Sequence, residues 1–352
     1  MLVGKDADDV KDWYLQELGN MAVGKPVKVE GISYDKYAYQ NISEETQIVY
    51  DQIYDCMSSY KESVVVSTKS DDVVADAYEA VFADYGNIFW VNGYQVNTYQ
   101  KGEEVVSLEF LPTYTMTEEQ KNVYQVTIDS VTTEWLAGIS RDATDYEKAL
   151  YVFETLIEKV DYDKNSKENQ NILSTFLYNS TVCQGYADGA WYLLDKLGIK
   201  STIITGNANG EAHAWNLVYL DDAYYYMDVT WGNSKYKDTD SSTKKRINYA
   251  YLAMDSEELL RSHKITSHFD VPDCLSNQDN YFVREGLYYE NFDADVIGNA
   301  FATSYNAGND EISLKFATDE LYNEVIDYFF NKQNISKYCI QFFPYPPNST
   351  KY

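Results

Sequence analysis

Cys183, His213 and Asp228 follow one another in Thr181-Val-Cys-Gln-Gly-Tyr-Ala, Glu211-Ala-His-Ala-Trp-Asn and Tyr226-Met-Asp-Val-Thr-Trp. A thiol, an imidazole and a carboxylate held in line are the parts of a cysteine acyl-transfer centre: nucleophile, base and orienter. Taken singly, each has a plainer reading. Cys183 could be a buried core cysteine, His213 a satisfied half-buried histidine, and Asp228 a cap at a strand end. The joint reading rests on the elements that would carry the three.

Cys183 precedes Gln184-Gly-Tyr-Ala-Asp-Gly-Ala-Trp-Tyr-Leu-Leu-Asp-Lys-Leu-Gly198. Ala187, Ala190, Trp191, Leu194 and Leu197 form an apolar helical stripe, and Gly198 is a stop signal. With Ser180 or Thr181 near the N-cap, Cys183 falls in the first turn. Free N–H groups and the positive helix end favour a thiolate there. His213, Trp215, Leu217 and Tyr219 alternate on one face of a strand. Asp221-Asp222 makes a two-residue turn, which pairs 220 with 223 and hence 215 with 228. Asp228 then lies on the His213 face, one diagonal step away. A slip of one residue would turn it to the other face.

The segment from Ser174 to Trp231 resembles the transglutaminase-like superfamily, whose core is papain-like, and is most similar to its bacterial branch. The residues that carry the resemblance are Val-Cys-Gln-Gly-Tyr-Ala, Leu-Gly-Ile, His-Ala-Trp-Asn and Met-Asp-Val-Thr-Trp, in that order. Tyr249-Ala-Tyr-Leu-Ala-Met-Asp-Ser-Glu-Glu-Leu and then His263 also resemble the segment C-terminal to that core in the same branch. The resemblance implies an α+β fold in which a Cys-bearing helix packs on an antiparallel sheet carrying His and Asp. It implies Cys183 as nucleophile, His213 as base and Asp228 as orienter. Tyr186, Trp215 and Trp231, which flank the three, are expected to contact substrate. Papain-like peptidases place a Gln oxyanion donor six residues before the nucleophile, and here that position is Leu177. The Cys183 N–H can supply one donor, and the second is unassigned.

The other histidines, His263 and His268, lie in polar surroundings with no strand partner visible, and read as surface residues. No HExxH or phosphate-binding loop occurs, and Asp161-Tyr-Asp-Lys-Asn departs from a calcium loop at Ser166 and Ile172. No metal or other cofactor is expected. A net charge of −28 argues against nucleic-acid or anionic-membrane partners. No run of 18 apolar residues would span a bilayer. Cys56, Cys183, Cys274 and Cys339 include no CxxC and suggest no disulfide scaffold. The N-terminus shows no signal peptide, whereas the resemblance implies an extracellular or cell-surface location. The 35 tyrosines suit half-buried sheet faces with wet hydroxyls, or a sugar- or peptide-binding platform.

The 352 residues divide by pattern into three parts: an α+β accessory region at 1–112, the core at 113–270, and a small α/β region at 271–352. In the first, helices are expected over 42–60 and 71–83, with strands near 64–68, 89–91 and 104–111. The core opens with helices over 117–136 and 144–160. The last part is expected to hold strands near 281–288, 311–316 and 338–343, with a helix over 318–330. Function is then cysteine-dependent acyl transfer on a peptide or protein amide, with water preferred over an amine as acceptor. A non-catalytic binding module of the cell envelope and a protein cross-linking transglutaminase are the alternatives. A proenzyme whose residues 1–112 cover the cleft is a third.

Overall fold

A computed structural model describes Val29 and residues 33–233, 247–309 and 312–332. The helices begin where side chains can take up free first-turn N–H groups. Ser43 caps Glu44–Ser58 and Ser70 caps Asp71–Asp84. Thr117 with Gln120, and Thr144 with Glu147, close reciprocal capping boxes on Glu118–Trp135 and Asp145–Lys159. Acidic residues occupy the first turn of all four helices, where the positive helix end favours them.

Two antiparallel sheets carry most of the strands. In the first, Val64–Val66 and Val91–Lys101 flank Glu104–Tyr114. The second runs Ala223–Met227, Glu211–Leu220, Ser201–Ala208, His263–Ile265. Its hairpin has the expected register: Leu220 faces Ala223, and Asn216 faces Met227. Asp221 and Asp222 both take positive φ, 41° and 73°, as a two-residue turn matched to strand twist requires.

The helix Cys183–Lys196 packs on this sheet and is buried along nearly its whole length. Asn216 donates a buried 2.9 Å hydrogen bond to the Ala187 carbonyl, fastening the His213 strand to the Cys183 helix one turn beyond the cysteine. A Cβ at Gly185 would collide with the Thr181 hydroxyl, so only glycine lets the first turn lie against the Ser180–Thr181 segment. The result is the expected α+β arrangement of Cys-bearing helix on antiparallel sheet.

One hydrophobic cluster joins residues from Ala38 to Phe282, on both sides of residue 112. Asp84 anchors a junction within it. Its carboxylate accepts from the Ala38 and Tyr39 amides at 2.9 and 2.8 Å and from the Tyr50 and Thr202 hydroxyls at 3.1 Å each. Removing the acceptor leaves the Ala38 and Tyr39 amides and the Tyr50 hydroxyl without it, whereas the Thr202 hydroxyl keeps the Ala83 carbonyl at 3.0 Å. Asp84→Ala is therefore expected to cost about 3 kcal/mol, read as a lower urea midpoint with an unchanged slope.

A second, smaller cluster gathers Tyr289, Ile297, Leu321, Val325 and Phe329. Here the structure departs from the pattern. Residues 281–284 form a short helix, because Asn280 caps the Phe282 amide, and the strand is only Tyr288–Tyr289. It pairs in parallel with Lys315–Phe316, to which the strand expected near 311–316 is confined, since residues 312–314 take no strand pairing. The helix Ala294–Asn306, capped by Asp293, is not among the expected elements; Ile297, Ala300 and Phe301 give it an apolar face packed in this cluster. Thr318 caps Asp319–Ile326, and the chain continues helically with wider turns to Lys332. The strand expected over 338–343 and Cys339 lie outside the described residues. Among the described residues no helix is long and apolar enough to cross a membrane.

Candidate active site

Cys183 is the first residue of its helix, half-buried, with Val182 as N-cap. Ser180 and Thr181 lie just before the N-cap, and neither side chain caps the helix. The Thr181 hydroxyl is already bonded to the Ser174 hydroxyl at 2.6 Å, and Ser180–Thr181 pairs in parallel with Asp161–Tyr162. No capping side chain therefore competes for the N–H groups of the Cys183 turn. They remain donors for a developing oxyanion. Leu177, at the position of the papain-family Gln, packs against the core.

His213 lies on the inner strand Glu211–Leu220, opposite Gly206. Its Nε2 is 2.8 Å from Asp228 Oδ2. The Cys183 side chain is a near neighbour of the ring and helps to raise its pKa. Since Nε2 is engaged by the carboxylate, Nδ1 is the atom left for sulfur. Burial alone would lower the imidazole pKa, but Asp228 and the thiol override it and push it from 6.5 up to about 10. The ring is thus held in its cationic form through neutral pH.

Asp228 has no solvent exposure. It does two jobs that the sequence presents as alternatives. Oδ1 accepts the Trp231 N–H at 3.0 Å and caps the short helix Val229–Gly232. Oδ2 takes the histidine. Burial would raise its pKa, yet the two neighbouring imidazoles, His213 first, hold it well below the usual carboxylate range.

The second imidazole is His263, which reads from the sequence as a surface residue. The structure corrects this. His263 is 4% exposed and opens the edge strand His263–Ile265, paired with Ala208. Its Nε2 lies 3.1 Å from the same Asp228 Oδ2, and its Nδ1 lies 2.8 Å from the Ser262 hydroxyl. A three-residue strand carries too little periodicity to betray itself. The available signal is the likeness of the segment ending at His263. His268 is half-exposed beside Asp76, as a surface residue should be.

The three aromatic residues expected to contact substrate are buried instead. Tyr186 has no exposed surface, and its hydroxyl is spent between the Val160 carbonyl and the Asn233 amide. It is a strut for the Cys183 helix. Trp215 and Trp231 are closed off too, packed around the two imidazoles. The Trp215 ring lies 5.9 Å from that of His213 and 5.0 Å from that of His263, and the Trp231 ring lies 4.7 Å from that of His263. They exclude water from the imidazole–carboxylate pair, which strengthens it.

His213, Asp228 and His263 place one ligand-type atom each within 4.8 Å of one another. Both Nε2 atoms nevertheless address a single carboxylate oxygen at hydrogen-bond distance. A metal ligand must offer a lone pair, whereas here the ring nitrogens serve as donors to the carboxylate. Beyond the ring, Gln184 donates at 2.9 Å to Asp188, whose carboxyl is pushed well above its ordinary pKa, chiefly by burial. The other described thiols, Cys56 and Cys274, are buried and raised to about 12 by that burial.

Residues 133–229 match the family model of the transglutaminase-like superfamily core. This span contains Cys183, His213 and Asp228. Among curated proteins, the chain is 24% identical over 187 residues to the Kyphoscoliosis peptidase of Mus musculus, covering 47% of this chain and 28% of that protein. It is 26% identical over 135 residues to the Homo sapiens Kyphoscoliosis peptidase, covering 33% of this chain and 20% of the relative. The chain thus spans less than a third of the length of the curated relatives it matches. A solved structure described as a TGase overlaps 44% of this chain and 47% of its own, at 13% identity and a TM-score of 0.30.

Proposed function

Because the chain belongs to the transglutaminase-like superfamily through its core at residues 133–229, we propose that it is a cysteine-dependent enzyme acting on peptide or protein amides through Cys183, His213 and Asp228. That superfamily is one of cysteine-based acyl-transfer enzymes and peptidases. The observation that carries the reading is the buried His213–Asp228 pair turned onto a half-buried thiol at the start of a helix.

The chemistry arises from the pairing. Cys183 stands at the positive end of its helix with His213 beside it, the setting of a cysteine nucleophile. The thiolate attacks the amide carbonyl, and the oxyanion is received by the N–H groups of the first turn. His213 gives its proton to the departing amine as the thioester forms. It then takes a proton from water, which attacks the thioester and releases the acid and the thiol. An amine in place of water would give a transfer product by the same route. Hydrolysis is favoured, because water is always at hand and the two curated relatives are called peptidases.

Cys183 is expected to react with iodoacetamide at pH 6 about 100-fold faster than an ordinary thiol, whose pKa near 8.5 leaves little thiolate there. Cys56 and Cys274 serve as slow internal references, read by mass spectrometry. His213→Ala should erase the advantage. A Cys183 that labels like an ordinary thiol in both proteins would refute the assignment, as would full activity of Cys183→Ala on any peptide substrate. Release of ammonia or new peptide termini, measured against incorporation of a fluorescent amine into casein, separates hydrolysis from transfer.

A further inference from the structure

We propose that His263 is a positioning residue for this site, donating its Nε2–H to Asp228 so that the carboxylate holds His213 against Cys183. The proposal rests on the function assigned to Cys183 and His213 above.

Asp228 is a fully buried carboxylate whose received hydrogen bonds come from three directions. Oδ1 takes the Trp231 amide at 3.0 Å, and Oδ2 takes His213 at 2.8 Å and His263 at 3.1 Å. The Trp231 amide fixes one oxygen only, and the plane of the group still has to be set. His263 sets it by approaching Oδ2 from the opposite strand edge. His213 is paired with Gly206 and His263 with Ala208, on either side of the strand Ser201–Ala208. The two rings, 5.5 Å apart, converge on the oxygen from the two neighbours of that strand.

The state of His263 is itself prepared. Ser262 Oγ lies 2.8 Å from Nδ1 and can donate its hydrogen there, which leaves the proton on Nε2 for Asp228. The ring is locked edge-on to Trp215 at 5.0 Å and against Trp231 at 4.7 Å. It has no exposed side-chain surface and does not reach substrate. Its influence on the thiol therefore passes through Asp228 and His213.

The test compares His263→Phe, His263→Gln and Ser262→Ala with the parent protein and with His213→Ala. Phenylalanine keeps a ring between the two tryptophans and removes the donor. Glutamine returns a donor near the position of Nε2. The readout is the iodoacetamide rate of Cys183 from pH 5 to 9, with near-ultraviolet circular dichroism and thermal melts to follow the fold. The rate at pH 6 is expected to fall roughly tenfold in His263→Phe, the scale on which hydrogen-bonded outer partners of functional histidines act. His263→Gln should restore most of it, and Ser262→Ala should lie between.

Equal rates in His263→Phe and the parent, with His213→Ala still slow, would overturn the role of His263 and leave the thiol–imidazole pair standing. So would an equal loss in His263→Phe and His263→Gln, since a packing role needs no donor. If His263→Phe does not fold, the same decision rests on His263→Gln against Ser262→Ala. A Gln variant no faster than Ser262→Ala then counts against the proposal. An ordinary thiol rate in the parent protein would instead refute the underlying function.

Discussion

Replacing Asp228 with asparagine is expected to lower turnover by about 10³- to 10⁴-fold, the scale of loss when a triad carboxylate becomes an amide and its histidine takes the wrong tautomer. The amide presents one oxygen and one NH2 group. It can keep the Trp231 cap or receive the two ring donors, but it cannot do both as the carboxylate does. It also removes the charge that holds His213 as a cation. The alkylation profile of Cys183 should therefore move toward that of a free thiol.

The same variant has a signature in stability against pH. The folded pKa of Asp228 is depressed, so its contribution is present above the ordinary 3.8 and is lost as pH falls. His213 is raised to about 10, so its contribution is full below 6.5 and is lost as pH rises through about 10. The pair thus stabilises most between about pH 4 and 6.5. Asp228→Asn should flatten both limbs of the difference curve, measured as unfolding free energy from pH 3 to 10. A parent protein whose stability difference from the variant does not change with pH would rule out the charged pair.

Gly206→Ala should be the most damaging small substitution in the sheet, costing about 2–3 kcal/mol as an overpacked site. A Cβ there would strike the Lys264 carbonyl oxygen and come within 2.7 Å of the Trp215 ring. The first obstacle is backbone and cannot rotate away. Gly206 is also the residue opposite both His213 and Ile265. Relief requires the edge strand to move, and His263 would move with it. We expect a thermal midpoint lower by several degrees together with slower Cys183 alkylation at pH 6. A lowered midpoint with an unchanged alkylation rate would show that the edge strand does not communicate with the thiol.

The local pattern determined the elements that lie close together in sequence. Ser43, Thr117 and Thr144 announce helices, because a capping side chain and the amide it binds are three residues apart. The Asp221-Asp222 turn fixes the register of the hairpin, and the register carries Asp228 to the His213 face. The candidate nucleophile, base and orienter were legible for that reason. Each sits on an element whose geometry is set by its own few neighbours.

What the pattern could not settle is where side chains go once elements separated in sequence pack together. Tyr186, Trp215 and Trp231 flank the reactive residues in sequence, as substrate-contacting aromatics would. Burial is a property of the packed layers, and the packing turned all three inward, where they support the helix or shield the pair. His263 shows the converse. Nothing in Arg261-Ser-His-Lys marks it as buried. Only the pairing of a three-residue edge strand with the distant Ser201–Ala208 delivers its ring to Asp228. The sequence by itself determined which residue types could do the chemistry and the strand and helix that bear them. The tertiary structure alone decided that one carboxylate oxygen serves two imidazoles, because that convergence depends on strand order rather than on spacing along the chain.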